Sequence, residues 1–166
     1  MQASMYHDRM KRLNRREICA GLTAVTMGGL AGVKMSDAQT TAPLSGDGLA
    51  HPQVLRFDAI PQSLMPNGTD RRVLVHGALA TGELVRVHES IAPGGIEPPE
   101  LHVIQHSELL VVIQGTVGFE HDGKLEKGGP GDVIYVAYGT NHRIRNIGEG
   151  TARYVVISIG GDVKKK

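Results

Sequence analysis

Breaks rich in glycine and proline divide most of this chain into short segments, and they constrain its fold more than any other feature. Turn signals recur roughly every 8 to 12 residues, and the strongest of these breaks lie at 92–95, 122–123, 128–131 and 148–150. The segments between them alternate apolar with polar residues or are rich in β-branched residues, which is typical of strands. The predicted strands, about eight in number, are 71–76, 83–91, 109–114, 117–121, 124–127, 133–136, 142–146 and 152–159. No segment shows the pattern of a long amphipathic helix, so we predict an all-β, antiparallel domain closed into a barrel or jelly roll.

The distribution of charge argues against a nucleic-acid partner. The chain carries a formal net charge of +1, but its first 38 residues hold six basic and three acidic side chains. The remainder has 12 basic and 14 acidic residues. The body of the protein therefore offers no basic surface for phosphates.

The N-terminal segment has the features of an export signal. Basic residues, including the pair Arg15-Arg16, precede the uncharged stretch 20–33, which has 14 residues where about 20 are needed to span a bilayer. Small residues at 36 and 38 suit cleavage after residue 38. Because Arg15-Arg16 resembles the twin-arginine signal, we expect an exported, periplasmic protein without stable membrane insertion. A general secretory signal and a retained membrane anchor are the alternatives.

These features divide the chain into four parts. We assign 1–38 to the signal peptide, 39–68 to a linker or N-terminal arm, 69–161 to the barrel, and 162–166 to a basic tail. The chain has one cysteine, Cys19, and it lies in the signal segment. The mature domain would therefore fold without a disulfide.

Three polar residues occupy positions from which a narrow barrel could bring them together. His102 and Glu108 share even parity with Ile104, so a pleated strand would turn them to one face, while His142 opens a later strand. Two imidazoles and one carboxylate with open positions form the ligand set favoured by Fe(II), and Mn, Ni or Zn also accept it. We therefore predict a divalent-metal site at His102, Glu108 and His142.

The spacing of these residues resembles the two motifs of the cupin superfamily. The chain matches the first motif at His102, Glu108 and Gly115, and the second at Gly131, Gly139, His142 and Asn146, with Ala137 in place of a proline. The resemblance implies a single cupin β-barrel, a double-stranded β-helix of jelly-roll type similar to the cupin-2 conserved barrels. It also implies that any metal lies near the centre of the barrel.

Ile104 departs from the family pattern, which has a second histidine at this position. Two interpretations stay open. Either His102, Glu108 and His142 hold a metal with waters completing its shell, or they form a hydrogen-bonded polar cluster in a cupin without metal. Glu100 and His106 are alternative ligands for the missing position.

Other side chains are assigned to the barrel wall. His76 and His88 are interpreted as ordinary strand residues, and His121 as a turn residue. The predicted apolar lining of the pocket comprises Ile104, Val111, Ile113, Val133, Tyr135 and Ile144. Arg143 and Arg145 are predicted to point outward, since they alternate with the inward positions of their strand.

These observations predict a protein that binds a small molecule. With a metal, it would act on a small organic ligand in an oxygenase-like way (dioxygenase, lyase or isomerase), with Glu108 as ligand and catalytic base. The alternative is a non-catalytic periplasmic cupin that binds or senses a small ligand through a degenerate metal site. Because the core is small, we also expect a homodimer.

Overall fold

The computed structural model describes residues 49–161. The predicted signal peptide with Cys19, and the tail 162–166, lie outside the described residues. Within 49–161, no helix is long and apolar enough to cross a membrane.

The described part of the chain is built almost entirely from antiparallel strands, which confirms the predicted fold class. The strands are β1 (Ser63–Leu64), β2 (Asp70–Ala78), β3 (Leu84–Ala92), β4 (His102–Val103), β5 (Ser107–Gln114), β6 (Val117–His121), β7 (Lys124–Gly128), β8 (Val133–Val136), β9 (Asn141–Asn146) and β10 (Ala152–Ile159). They form a six-stranded sheet in the order β1-β2-β3-β10-β5-β8 and a four-stranded sheet in the order β4-β9-β6-β7. The eight predicted strands are present, and the two-residue strands β1 and β4 are additional. Two residues are too few for alternation to be recognised in a sequence.

The two sheets enclose one hydrophobic core. Side chains from both of them contribute to it, namely Ala92, Ile104, Leu110, Val112, Val117, Phe119, Val136, Ile144, Ala152, Tyr154 and Val156. Positions of even number in β5 and β10 point inward, because successive side chains of a strand alternate between its faces. This parity decides which polar residues enter the barrel.

The turn between β6 and β7 is the hairpin predicted from the Asp-Gly pair. His121 pairs with Lys124, and both residues between them have positive φ, 48° at Asp122 and 71° at Gly123. Positive φ at both central positions defines the type I′ turn, whose twist matches that of the strands it joins. Asp-Gly is favoured there because aspartate tolerates this conformation and glycine adopts it without a steric penalty.

A β-bulge interrupts β2 at Leu74. Val73 pairs with His88 and Val75 with Val87, so Leu74 is the extra residue. The bulge shifts the side-chain parity of β2. As a result Arg71 and His76, one odd and one even, line the same cavity.

Asn146 ties the turn between β9 and β10 to the end of β3. Its Nδ2 atom donates to the carbonyl oxygen of Ala92 at 2.9 Å and to that of Gly150 at 2.6 Å, while its Oδ1 atom accepts from the amide of Gly148 at 2.9 Å. These bonds satisfy backbone groups of a turn that the strands leave unpaired. The asparagine that completes the second sequence motif therefore closes one end of the barrel.

Candidate functional site

A cavity of about 620 Å³ opens between the sheets. Its polar and charged lining comes from β2, β3, the segment 102–108 and the end of β10, and consists of Arg71, His76, Arg86, His88, His102, Gln105, His106, Glu108 and Ser158. Of the predicted site residues, His102 and Glu108 line this cavity. His142 lies behind them with only 1% of its side chain exposed.

Glu108 is the centre of a hydrogen-bonded cluster. Its Oε1 atom lies 2.7 Å from Nε2 of His106 and accepts from the hydroxyl of Ser158 at 3.1 Å. Its Oε2 atom lies 3.8 Å from Nε2 of His142. The carboxylate is 13% exposed, and these partners make its burial tolerable.

The environment of Glu108 keeps it ionised. Burial alone would raise the pKa of the carboxyl group. The hydrogen bonds with His142, His106 and Ser158, together with the charge of His106, outweigh burial and lower that pKa to about 2. Glu108 is therefore a carboxylate at neutral pH.

The two predicted histidine ligands lie side by side. His102 and His142 are register partners of β4 and β9, and their ring centroids are 4.8 Å apart. The Nδ1 atom of His102 lies 3.2 Å from the carbonyl oxygen of Glu100, and that of His142 lies 3.2 Å from the carbonyl oxygen of Thr140. Because a carbonyl only accepts, each Nδ1 is protonated and donates to it, which leaves Nε2 of each ring for another partner.

Nε2 of His142 and Oε2 of Glu108 face each other at 3.8 Å. Such a pair requires a proton, a water or a cation between its members. Nevertheless, within residues 49–161 no three His, Cys, Asp or Glu side chains are arranged so that they could hold a metal ion. The donor types suit a divalent cation, but the complete set of three is not assembled, and Oε1 of Glu108 is engaged elsewhere.

The sequence analysis missed His88, which is buried at 8% exposure and lines the cavity. Its Nδ1 atom is buried without a hydrogen-bond partner. Burial, together with the charges of Arg71 and Arg86, lowers the pKa of His88 to about 4, with Glu108 opposing this effect. His88 is therefore a neutral imidazole in the cavity wall. His76 and His88 lie in strands, as interpreted, and both line this cavity. Alternation alone does not predict that these two histidines share a cavity, because the bulge at Leu74 changes the side-chain parity of β2.

Part of the predicted apolar lining is also wrong. Ile113, Val133 and Tyr135 are between 47% and 60% exposed, and Val111 shares their side of the sheet. The register explains this, because Glu108 pairs with Val136 and faces inward. The inward residues of these two strands are consequently Leu110, Val112, Ile134 and Val136, whereas Ile104 and Ile144 are buried as predicted.

The remaining candidates lie away from this cavity. His121 stacks on Phe119 and contacts Glu126 at 2.7 Å, as a residue at the end of a hairpin strand does. Arg143 pairs with Glu120 at 2.6 Å, which agrees with its predicted outward direction.

The geometry can be compared with known proteins. Residues 87–158 match the family model of the cupin domain. The barrel resembles an RmlC-like cupin from Shewanella frigidimarina (TM-score 0.55, 16% identity), covering 68% of this chain and 95% of that one. The fold is that of a cupin. No curated protein matches the sequence.

Two further structures share this fold. A putative ethanolamine utilization protein from Salmonella typhimurium has a TM-score of 0.53 and 13% identity, over 71% of this chain and 92% of that one. A predicted oxalate decarboxylase from Thermotoga maritima has a TM-score of 0.52 and 20% identity, over 64% of this chain and 98% of that one. The superfamily resemblance read from the two motifs is thus supported, and at these identities the likeness concerns the fold alone.

The burial of His88 predicts how stability depends on pH. The unfolded chain binds a proton on this residue near pH 6.5, whereas the folded protein does so only near pH 4. Stability is therefore complete above about pH 6.5 and falls by up to about 3 kcal/mol as the pH drops to about 4. Urea unfolding at a series of pH values measures this loss.

The variant His88→Gln should lose much less stability over that range, while His76→Gln, at an exposed position, serves as the control. An unchanged pH profile in His88→Gln would show that another group is responsible.

Proposed function

We propose that this protein is a small-molecule-binding cupin whose ligand occupies the cavity beside Glu108. The observation that carries the proposal is an unpartnered, buried polar atom, Nδ1 of His88, in the wall of a cavity of about 620 Å³. Buried polar atoms are normally hydrogen-bonded, and a bound ligand would supply the missing partner. The volume lies within the range of small-molecule sites, about 300 to 1,000 Å³.

The chemistry of the wall supports an oxygen-bearing organic ligand. Ser158 and His106 offer polar groups, while Leu84, Val103 and Ile104 form an apolar part of the same wall. This mixture is typical of sites that bury most of a small organic molecule and orient it by a few polar contacts. The non-catalytic interpretation is favoured because Oε1 of Glu108 is already engaged by His106 and Ser158.

Filling the cavity should abolish ligand binding. Ile104 lies in the wall, so Ile104→Phe places a larger side chain in the space of the ligand. Native mass spectrometry of protein purified from its own compartment should detect a small organic molecule on the wild type and not on Ile104→Phe. Leu125→Phe, which makes the same change in side-chain volume at an exposed position outside this cavity, should retain it. If both variants keep the molecule, it binds elsewhere.

A metal-dependent, oxygenase-like enzyme is the second candidate. The observation in its favour is that Nε2 of His142 and Oε2 of Glu108 face each other 3.8 Å apart, because a divalent cation would bind both atoms. His102 would be the third ligand, with the carbonyl oxygen near its Nδ1 atom orienting the ring. A bound Fe(II), Mn, Ni or Zn ion would supply polarisation of an oxygen-bearing ligand, and Glu108 would be its carboxylate ligand.

Metal content distinguishes this candidate from the first. Elemental mass spectrometry after reconstitution should give about one equivalent of metal for the wild type and almost none for His142→Ala. His121→Ala removes an imidazole outside the site and should keep the wild-type content. If the wild type takes up no metal, the metal-dependent candidate is excluded and the ligand-binding proposal stands.

We place this function in the periplasm, on the basis of the sequence of residues 1–38, and in a homodimer. The outer side of β5 and β8 supports the dimer, because it exposes the apolar side chains of Ile113, Val133 and Tyr135 beside the unpaired edge of β8. Exposed apolar patches next to a strand edge favour association. Tyr135→Lys should shift the sedimentation coefficient from dimer to monomer, and a monomeric wild type would refute the dimer.

A further inference from the structure

We propose that the ligand of this cavity is an organic carboxylate, bound by the guanidinium group of Arg71 with Arg86 at the mouth. This inference rests on the proposed function and specifies its ligand class. Neither arginine belongs to the sequence motifs.

The first argument is the balance of charge in the cavity. Its lining includes two arginines, Arg71 and Arg86, and one carboxylate, Glu108. His88 is neutral there. The arginines outnumber the carboxylate, so the wall carries an excess of positive charge, which an anionic ligand would offset.

The second argument is that Arg71 lacks a counterion. It is half-buried, and its Nε atom is fully buried without a hydrogen-bond partner. In the part of the chain described, from 49 to 161, the ion pairs join other residues. Burial lowers the pKa of Arg71, and the charge of Arg86 acts in the same direction. A guanidinium held in this way, without a carboxylate, is costly unless a ligand pairs with it.

Glu108 does not form an ion pair with Arg71, although it lines the same cavity. Its Oε1 atom is engaged by His106 and Ser158, and its Oε2 atom faces His142. The carboxylate that pairs with Arg71 must therefore come from outside the barrel wall.

The geometry of the strands places Arg71 deep in the barrel. Arg71 pairs with Ser90, which is 2% exposed, whereas the exposed Arg86 pairs with His76 nearer the loop between β2 and β3. A carboxylate at Arg71 would accept the two parallel hydrogen bonds that a guanidinium donates. The organic body of the ligand would then contact Ile104 and Val103.

Titration with benzoate tests this assignment, with benzamide as its neutral isostere and inorganic phosphate as a second anion. In ¹⁵N-labelled full-length protein, benzoate should shift the Nε–H signal of Arg71, which is assigned by its absence from Arg71→Gln. Benzoate should bind Arg71→Gln at least about tenfold more weakly than the wild type. Arg71→Lys should retain part of the affinity, and Lys124→Gln, which removes one exposed positive charge outside the cavity, should match the wild type.

A second measurement concerns the unliganded protein. Arg71→Gln removes an unpaired, partly buried cation, so its unfolding temperature should rise by about 4 °C, while that of Lys124→Gln should not change. A protein whose site is built to bind an anion is less stable without its ligand than a variant that carries a neutral residue at the same position.

The outcomes separate this inference from the proposed function. If benzamide binds while benzoate neither binds nor shifts the Arg71 signal, the ligand is neutral; the inference fails and the proposed function stands. Equal binding of benzoate to wild type and Arg71→Gln also overturns the inference. If phosphate alone shifts the signal, the site takes inorganic anions and the carboxylate assignment is wrong. If none of the three probes binds, both the inference and the proposed function fail.

Discussion

A carboxylate enclosed between two sheets must be hydrogen-bonded, and this requirement organises the open end of the barrel. Glu108 lies on β5 in the six-stranded sheet, while His142 lies on β9 in the four-stranded sheet. The carboxylate therefore faces side chains from both layers. The segment that carries His102 and His106 passes between the layers and supplies one of its partners. The imidazole of His106 and the hydroxyl of Ser158 stabilise this buried charge.

The fold could be predicted from the sequence because its determinants are local. Strand parity, the Asp122-Gly123 turn and the two spaced motifs, 102–115 and 131–146, are each visible within a short stretch of the chain. Asn146 shows why a motif position can indicate a fold without indicating a reaction, because its side chain hydrogen-bonds only backbone groups. Parity also predicted that His102, Glu108 and His142 could face one interior. The structure pairs His102 with His142 and places Nε2 of His142 3.8 Å from Oε2 of Glu108.

The rest of the site could not be predicted, because it depends on register between distant strands. Arg71 and His88 enter the cavity only through the pairing of β2, β3 and β10, which a single sequence does not reveal. The apolar lining was misassigned for the same reason, as Leu109–Ile113 is apolar on both faces and its pattern does not show which face is inside. The engagement of Glu108 by His106 depends on the bend at Gln105-His106, whose geometry alternation does not describe.

The bulge at Leu74 decides which side chains in the second half of β2 face the interior. The pairing between β2 and β3 continues on either side of it. If Leu74 entered the ladder instead of bulging, the register beyond it would move by one residue, and Val75 would lie opposite Arg86 in place of His76, while Arg71 would stay opposite Ser90. A local irregularity of one strand thus sets the polarity of the interior wall without any change in the core.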